Sequence, residues 1–310
     1  MANTRQLEYI RHQEESVWGG AVTGSTTGLP FESYDCAQSN VVVAREKFTG
    51  FIDDVNVDVA GQDLAGSAQI EIHPDNATLL LKTIPGIPRV TFNGNPNDFP
   101  SFRIEFYDAS RNKYFRHDGL KCGSITISCA GPDGELMARY DLQGKSETEI
   151  STFAQPTMPD QASFQMKDAW ASGASLIKVA TIAEPNVENL EITVPNNIRP
   201  SERRDNNGQR VWIDPGHRGE IAVNMGIRTS TDWSVDYDGI VRGMNTGTRI
   251  EYTFNYPGTG SPIDQVQIIL PAVVLSSPAR QGNPKSVQTR RITGTAKRTA
   301  GTEAISITNT

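Results

Sequence analysis

The feature that most constrains the fold is a two-residue alternation of apolar and polar side chains, repeated along most of the sequence. Phe102, Ile104 and Phe106 alternate with Arg103 and Glu105. Because successive side chains of a β-strand point to opposite faces, this pattern predicts half-buried antiparallel strands. The same alternation occurs at 70–72, 125–127, 136–142, 190–194, 250–256 and 305–307. The sequence therefore predicts a mainly β protein.

Helical signals are few and short. Residues 74–84 are the best candidate, because Asp75 or Asn76 can cap the first turn and Pro85 with Gly86 ends it. Residues 160–171 are a weaker candidate, and 231–243 has room for one helical turn.

Length and hydropathy set further limits. The chain has 310 residues, enough for two domains of ordinary size. Its longest nearly apolar stretch, 268–275, contains Pro271, whereas a membrane-spanning helix needs about 20 apolar residues. The N-terminal segment has no apolar run of the kind that marks a secretory signal. We therefore expect neither a transmembrane helix nor a leader.

The sequence contains three cysteines, Cys36, Cys122 and Cys129. Three cysteines do not make a disulfide framework, which favours free thiols in a reducing compartment. A redox or intermolecular role is the alternative. Cys122 and Cys129 are seven positions apart, so on one continuous strand we expect them to face opposite sides of the sheet.

Charge is unevenly distributed along the chain. The net formal charge is −7, but from Arg280 onward six basic residues stand against Glu303 alone, so residues 1–279 carry −12. An acidic body argues against tight nucleic-acid binding, because such binding comes from Lys and Arg side chains that neutralise phosphates. The basic C-terminal segment is open to two interpretations: it binds an acidic neighbour, or it is a solvated strand edge protected by its charge.

Two stretches of the chain share one order of elements. In each, a strand that opens at a glycine, Gly66 or Gly219, precedes a short helical candidate, two strands and a closing strand. The tetrapeptide at 103–106 recurs 146 positions later, at 249–252, with Tyr in place of Phe. This order predicts an internal duplication with a boundary near 145–165. The predicted parts are an N-terminal arm and loop at 1–40, a first β domain at 41–150 and a second β domain at 151–310.

No motif for catalysis or metal binding withstands inspection. Gly144-Lys145-Ser146 resembles the end of a phosphate-binding loop, but Arg139 stands where that loop needs glycine. Residues 236–239 resemble the middle of a calcium loop, but Asn245 replaces its final glutamate. Four scattered histidines are predicted to be surface or turn residues: His12, His73, His117 and His217. We therefore predict a structural protein rather than an enzyme, with no cofactor and no metal.

Several segments follow one another in a distinctive order. They are an acidic residue before an aromatic-glycine pair at Glu15 to Gly19, paired strands at 120–145, a strand at 190–196, Ile269-Leu270-Pro271, and an ending at 292–309 that closes on Ile-Thr-Asn. In this order they resemble the two-domain phage tail tube proteins, also called major tail proteins, from about residue 10 to 309. The charged loop at 202–208 and the Asn- and Pro-rich stretch at 89–101 depart from that family.

The resemblance implies two tail-tube-type antiparallel β-sandwich or barrel domains, each with a short helix, in a structural subunit of a bacteriophage virion. Such subunits stack as rings into a tube through which phage DNA passes without specific binding. Single-domain relatives form hexameric rings, so a duplicated chain implies a homotrimer with pseudo-sixfold symmetry. The resemblance also implies a place in the virion tail after assembly in the host cytoplasm, with no membrane. Its implied partners are other copies of itself, the tail terminator, the baseplate or tip and, in a contractile tail, a sheath.

A bore that conducts DNA has to repel phosphate rather than bind it. Four polar positions that alternate with core positions are candidate lumen-facing residues: Glu71, Glu105, Asp141 and Glu251. For each of them, exposure to solvent or to an adjacent ring is the alternative. The stretches at 18–40 and 195–215 are expected to be long loops that make contacts between rings or on the outside. The alternative function is a β-sandwich adhesin or carbohydrate-binding protein of a virion.

Overall fold

The computed structural model describes residues 10–29, 31–46, 55–73, 101–109, 111–130, 134–152, 177–184, 187–214, 219–228, 237–242, 247–256, 265–276, 279–281, 289–297 and 304–309. The protein is mainly β, as the alternation predicts. The first-half strands are β1 (Ile10–Glu15), β2 (Val22–Leu29), β3 (Phe31–Tyr34), β4 (Ala37–Glu46), β5 (Val55–Glu71), β6 (Phe102–Asp108), β7 (Lys113–Ala130), β8 (Met137–Gly144) and β9 (Ser146–Ile150).

The second half has the same strand-rich character. Its strands are β10 (Ile177–Val179), β11 (Ile182–Glu184), β12 (Val187–Pro195), β13 (Arg199–Pro200), β14 (Ile213–Asp214), β15 (Ile221–Arg228), β16 (Thr248–Asn255), β17 (Gln265–Leu275), β18 (Ala279–Gln281), β19 (Thr289–Ala296) and β20 (Ser306–Asn309). Among the described residues of this half, a short helix, α1 (Tyr237–Arg242), confirms the helical turn expected at 231–243. The helical candidates at 74–84 and 160–171 lie outside the described residues.

Strand β7 organises the first half because it changes partners along its length. Its N-terminal part pairs with β6 on one side and β9 on the other. Its C-terminal part pairs with β8 and β12 instead. Only Lys145 separates β8 from β9, so together these two strands follow β7 antiparallel from end to end.

The pairing of β7 with β12 makes one sheet of the two halves. Seven facing pairs, from Asn189 with Ala130 to Pro195 with Ser124, form this junction. The sheet continues from β3 and β4 through β5, β8, β7, β12, β15 and β19. The core lies on one face of it, where Ile127, Ile192 and Val223 are fully buried.

The pairings of the first half have counterparts in the second half, with the same register. Ile104 of β6 faces His117 of β7, and Ile250 of β16 faces Leu270 of β17. In both pairs the register is interrupted two residues earlier, before Ile104 and before Ile250. The counterpart pairings are β1–β6 with β10–β16, β3–β5 with β12–β15, β5–β8 with β15–β19, β7–β8 with β18–β19, and β7–β9 with β17–β20.

The expected loop at 18–40 is wrong. Strands β2 and β3 and the beginning of β4 occupy most of it, paired with β1 and β5. Its Gly, Ser and Thr content favoured a loop, but threonine is also a good strand residue, and pairing supplies the backbone hydrogen bonds.

The expectation that Cys122 and Cys129 face opposite sides of the sheet is also wrong, since both are buried. A register shift between Cys122 and Ser124 inserts one extra residue into β7. Such a bulge reverses the alternation once, so two residues seven positions apart reach the same core.

Candidate functional site

The segment from Glu15 to Gly19 packs against β7 at the position where that strand changes pairing partners. The buried Glu15 carboxylate accepts hydrogen bonds from the Gly119 amide at 2.8 Å, the Gly19 amide at 2.8 Å and the Ser101 hydroxyl at 2.7 Å. Hydrogen bonds to an ionised group are the stronger kind. Glu15 therefore ties the end of β1 to β7 and to the residue before β6. We call this cluster, with Trp18 and Lys145, the β7 corner.

Trp18 and Lys145 cover the same point from outside. The Trp18 indole nitrogen donates to the Gly119 carbonyl at 2.8 Å. The Lys145 ammonium lies 5.5 Å from the centre of the Trp18 ring, within the range of a cation–π contact. The Lys145 amide donates to the Asp118 carbonyl at 2.9 Å. Trp18 is therefore an anchor of the corner.

Gly119 is required at the corner for two reasons. Its φ is +69°, a conformation that residues with a Cβ rarely adopt. A Cβ at this position would also lie 2.8 Å from Trp18 Nε1 and 2.9 Å from Lys145 Cβ.

Asp118 supplies the second buried carboxylate of the corner. Its two oxygens lie 2.5 Å from Arg103 Nε and 2.9 Å from Arg116 Nε. Arg103 also donates to the Gly20 carbonyl at 3.0 Å. Because buried charges are tolerated when paired and hydrogen-bonded, these contacts fix β6, β7 and the turn after β1 together. The corner therefore positions strands.

A second feature is the face of the continuous sheet opposite the core. Thr126 and Thr193 bring their hydroxyl oxygens within 3.5 Å across the β7–β12 junction. Asn224 Nδ2 donates to Glu191 Oε1 at 3.0 Å. We call this surface the polar face; its members are Ser67, Gln69, Ser124, Thr126, Arg139, Asp141, Glu191, Thr193, Asn224, Arg291, Thr293 and Thr295. It is a broad surface of hydroxyl, amide, carboxylate and guanidinium groups that spans both halves.

Two of the four candidate lumen residues share this side of the sheet. Asp141 is 58% exposed, lies 3.9 Å from Arg139 and accepts a hydrogen bond from Ser124. Glu71 alternates with the buried Ile70 at the end of β5 and lies 3.2 Å from His73.

The other two candidates, Glu105 and Glu251, lie on β6 and β16 and are paired with cations. Arg11 of β1 faces Glu105, with 3.1 Å between their charged atoms. Lys178 of β10 faces Glu251, at 3.9 Å, and Arg249 approaches the same carboxylate at 3.0 Å. The two side chains are only 11% and 16% exposed. The structure therefore does not bring the four carboxylates together.

A buried histidine was missed. His117 is fully buried within β7, so the surface or turn position expected of it is wrong. His73 is also buried, His12 is half-buried in β1, and His217 lies outside the described residues. His117 Nδ1 lies 2.5 Å from the Tyr34 hydroxyl, and Nε2 lies 2.9 Å from Glu147 Oε2. The hydrogen bond with His117 is the main reason why the pKa of Glu147 is lowered. The signal available in the sequence was position, since His117 follows Phe115 by two residues in an alternating strand.

The three thiols are free and buried, as expected of unpaired cysteines. Burial raises the pKa of Cys36 and of Cys129 to about 12, and raises that of Cys122 well above its usual range. A thiol with a raised pKa stays protonated and is a poor nucleophile.

The charged loop within 195–215 packs against β5. Asp63 lies 2.5 Å from Arg204 and 2.7 Å from Arg210. The Gln62 amide donates to the Gly208 carbonyl at 2.9 Å. Here the second half contacts the first through a loop as well as through strand pairing.

In the part of the chain that the structure describes, no three acidic, histidine or cysteine side chains lie where they could hold a metal ion. Among those same residues, no helix combines the length and the hydrophobicity that crossing a membrane requires. A comparison of the sequence with protein-family models finds no match, and a comparison with curated proteins finds none.

Proposed function

We propose that this protein is a tail tube subunit in which one chain carries two copies of a β domain. The observation that carries the proposal is the shared strand register of the two halves. The interruption between Phe31 and Ser33 in β3–β5 matches the one between Val187 and Asn189 in β12–β15. The interruption before Ile104 in β6–β7 has a similar counterpart before Ile250. Bulges are features kept within families, and two unrelated β domains have no reason to share them.

Side-chain contacts support the same proposal. The Arg11–Glu105 ion pair and the Lys178–Glu251 ion pair join the same two strands of each half, at matching positions.

A second matched contact lies on the polar face. The Ser67 hydroxyl donates to Asp35 at 3.1 Å in the first half, and the Asn224 amide donates to Glu191 at 3.0 Å in the second. Asp35, between β3 and β4, and Glu191, on β12, occupy matching positions, and each accepts from a polar residue of the strand beside it, β5 or β15.

The proposed domain limits follow from these pairings. The counterparts of β1 and β3 are β10 and β12, so the first copy begins within residues 1–40 and not after them. The first copy then comprises β1 to β9, and the second comprises β10 to β20, with the boundary between 150 and 177.

The β7–β12 junction supports assembly into a ring. It is a copy-to-copy contact made by strand pairing inside one chain. If the same contact also forms between chains, it can join domain copies into a closed ring. A ring of six domain copies then needs three chains, which gives a homotrimer with pseudo-sixfold symmetry. Rings of this kind bury sheet edges that a single chain leaves open.

The polar face is the proposed lining of the tube. Hydroxyl and amide groups hold water, and Asp141 and Glu191 balance Arg139 and Arg291, so the surface offers no cluster of cations to phosphate. Of the four candidate lumen residues, Asp141 and Glu71 fit this lining. Glu105 and Glu251 fit a structural role better, because they lie on β6 and β16, outside the polar face, where each forms an ion pair with the neighbouring strand. DNA then passes without specific binding, in a virion tail built with other tail proteins in the host cytoplasm.

Electron microscopy of the purified full-length chain, with native mass spectrometry, tests the proposal. We expect rings or tubes with a central hole and three chains per ring. Six full-length chains per ring would contradict the stoichiometry. A chain that remains single at all concentrations and binds glycans would contradict the function and favour the adhesin alternative.

A further inference from the structure

Strand β18 lies against β19 as the last part of β7 lies against β8. Ala279 faces Arg291, and Thr126 faces Arg139. Ala279 lies 153 positions after Thr126. The same offset relates β17 to β7, because Leu270, which faces Ile250 of β16, lies 153 positions after His117, which faces Ile104 of β6. In register, β18 is therefore the counterpart of residues 126–128.

In the first half, this part of β7 has a second partner. Its other edge pairs with β12, where Thr126 faces Thr193. Among the described strands, β18 pairs with β19 alone. The edge of β18 that corresponds to an occupied edge of β7 has no partner among them.

The counterpart of β12 in the first half is the segment that follows β5 from residue 31 onward. Phe31 faces Ile70 as Val187 faces Ile227, a step of 156 positions along this strand. With the same offset of 156 positions, Ala37 is the counterpart of Thr193. Residues 35–37 pair on one side with β5, since the Asp35 amide donates to the Ser67 carbonyl at 3.0 Å and Ala37 faces Ala65. No described strand pairs with their other side.

These two edges lie at opposite ends of the sheet in one chain. Between them stand β5, β8, β7, β12, β15 and β19, each about 4.8 Å from the next. In the part of the chain that the structure describes, they are paired neither with each other nor with a third strand, so each edge can accept a strand from another chain.

The charges of the two edges are complementary. Strands β18 and β19 carry three arginines and no acidic residue, whereas residues 31–46 carry Glu32, Asp35 and Glu46 against Arg45. Opposite charge steers unlike edges together and disfavours the pairing of two like edges. Head-to-tail contact of unlike edges is also the kind that closes into a ring.

We propose that β18 of one chain pairs antiparallel with residues 35–37 of a second copy of the chain. Ala279 stands opposite Ala37, and Gln281 stands opposite Asp35, in the register of the β7–β12 junction. The inference rests on the proposed duplication and ring. It makes all six copy-to-copy junctions of a trimer alike, three within chains and three between them, and it gives the basic C-terminal segment an acidic neighbour.

Disulfide cross-linking tests the register. Full-length chains with Ala37→Cys and with Ala279→Cys carry different affinity tags and a Cys36→Ser background that removes the neighbouring thiol. They are mixed, assembled and oxidised with copper phenanthroline. Facing residues of an antiparallel pair fall within the Cα separation that a disulfide spans. We expect a shift to a two-chain species that contains both tags and that a reductant reverses.

Two matched controls accompany the mixture. Each variant oxidised alone stays a single chain. Thr126→Cys with Thr193→Cys in one chain forms an internal disulfide with or without assembly, because that junction lies within the chain. Stronger cross-linking of Ala37→Cys with Gln281→Cys than with Ala279→Cys overturns the register.

The outcomes separate this inference from the function. Rings that form without the cross-link overturn the proposed junction and leave the tail tube proposal standing. The absence of both rings and cross-link overturns both. If the variants do not fold, hydrogen exchange of the wild-type chain decides: residues 35–37 and 279–281 exchange more slowly in assemblies than in dilute single chains, and equal rates overturn the junction.

Discussion

At the residue scale, the β7 corner depends on a position that only glycine fills well. A left-handed backbone costs a residue with a Cβ roughly 1–2 kcal/mol, and overpacking adds about 1–3 kcal/mol. Because a Cβ at Gly119 meets both Trp18 and Lys145, Gly119→Ala is expected to lower the free energy of unfolding by about 2–5 kcal/mol. Urea unfolding followed by tryptophan fluorescence measures this change.

Gly123→Ala, four residues along the same strand, is the matched control. Its added Cβ meets Ile198 at an ordinary 3.5 Å. We expect a change within about 1 kcal/mol in either direction. Equal losses in the two variants would show that β7 tolerates no side chain anywhere near the bend and would remove the special role of Gly119.

The Glu147–His117 contact predicts a pH dependence of stability. The hydrogen bond with His117 lowers the pKa of Glu147 from 4.5 in the folded protein, against the opposing effect of burial. A carboxylate with a lowered folded pKa stabilises the fold fully above its unfolded pKa, and this contribution disappears as the pH falls through the folded value. The wild type is therefore expected to have a higher free energy of unfolding than Glu147→Gln at neutral pH, and this difference is expected to decrease as the pH falls below about 4.5.

Urea midpoints of both proteins, measured from neutral to acidic pH, check this difference. An advantage that stays constant or grows on acidification would contradict the assigned direction.

At the element scale, the sequence predicts strands well and their pairing poorly. The alternation located β6, β7, β8, β12 and β16, because each has one face in the core. It missed β2, where Gly, Ser and Thr replace most of the apolar residues, and β3, which has only four residues. It also gave no means to place the bulge next to Cys122, since one inserted residue changes the face of every side chain beyond it.

The site was predictable to a similar extent. The segment from Glu15 to Gly19 was singled out by resemblance, but its contact with Gly119 joins residues 104 positions apart. The β7–β12 junction joins residues 59 to 71 positions apart, which local pattern does not specify. The four lumen candidates were chosen by alternation alone. Alternation predicts which face of the sheet a side chain is on, but it does not predict whether a cationic side chain of the neighbouring strand forms an ion pair with it.

The docking of the charged loop on β5 gives an element-scale prediction. Asp63→Ala removes the carboxylate that holds Arg204 and Arg210, so the loop opens more often. We expect trypsin to cleave within 202–210 roughly 5–30-fold faster, the factor for about 1–2 kcal/mol of local stability. Glu202→Ala, an exposed acidic change in the same loop, is the control. Unchanged cleavage after Asp63→Ala would mean that the backbone contact of Gln62 with Gly208 suffices.

At the scale of the whole molecule, the proposal requires that the sheet face which lines the tube does not bind phosphate. The overall charge of −7 keeps the assembly acidic, but DNA in a bore responds to the charges nearest to it, since salt screens charges beyond about 8–10 Å. The polar face therefore matters more than the net charge.

Charge reversal on the polar face tests that statement. Asp141→Lys with Glu191→Lys leaves the core untouched, so tubes are expected to form, but the bore becomes cationic. Assembled tubes of this variant should retain short double-stranded DNA in sedimentation at low salt and release it as salt rises, because phosphate binding releases counterions. Glu149→Lys with Glu202→Lys makes an equal change of charge at exposed positions away from the polar face. Equal retention by the two variants would mean that net charge, and not the polar face, governs contact with DNA.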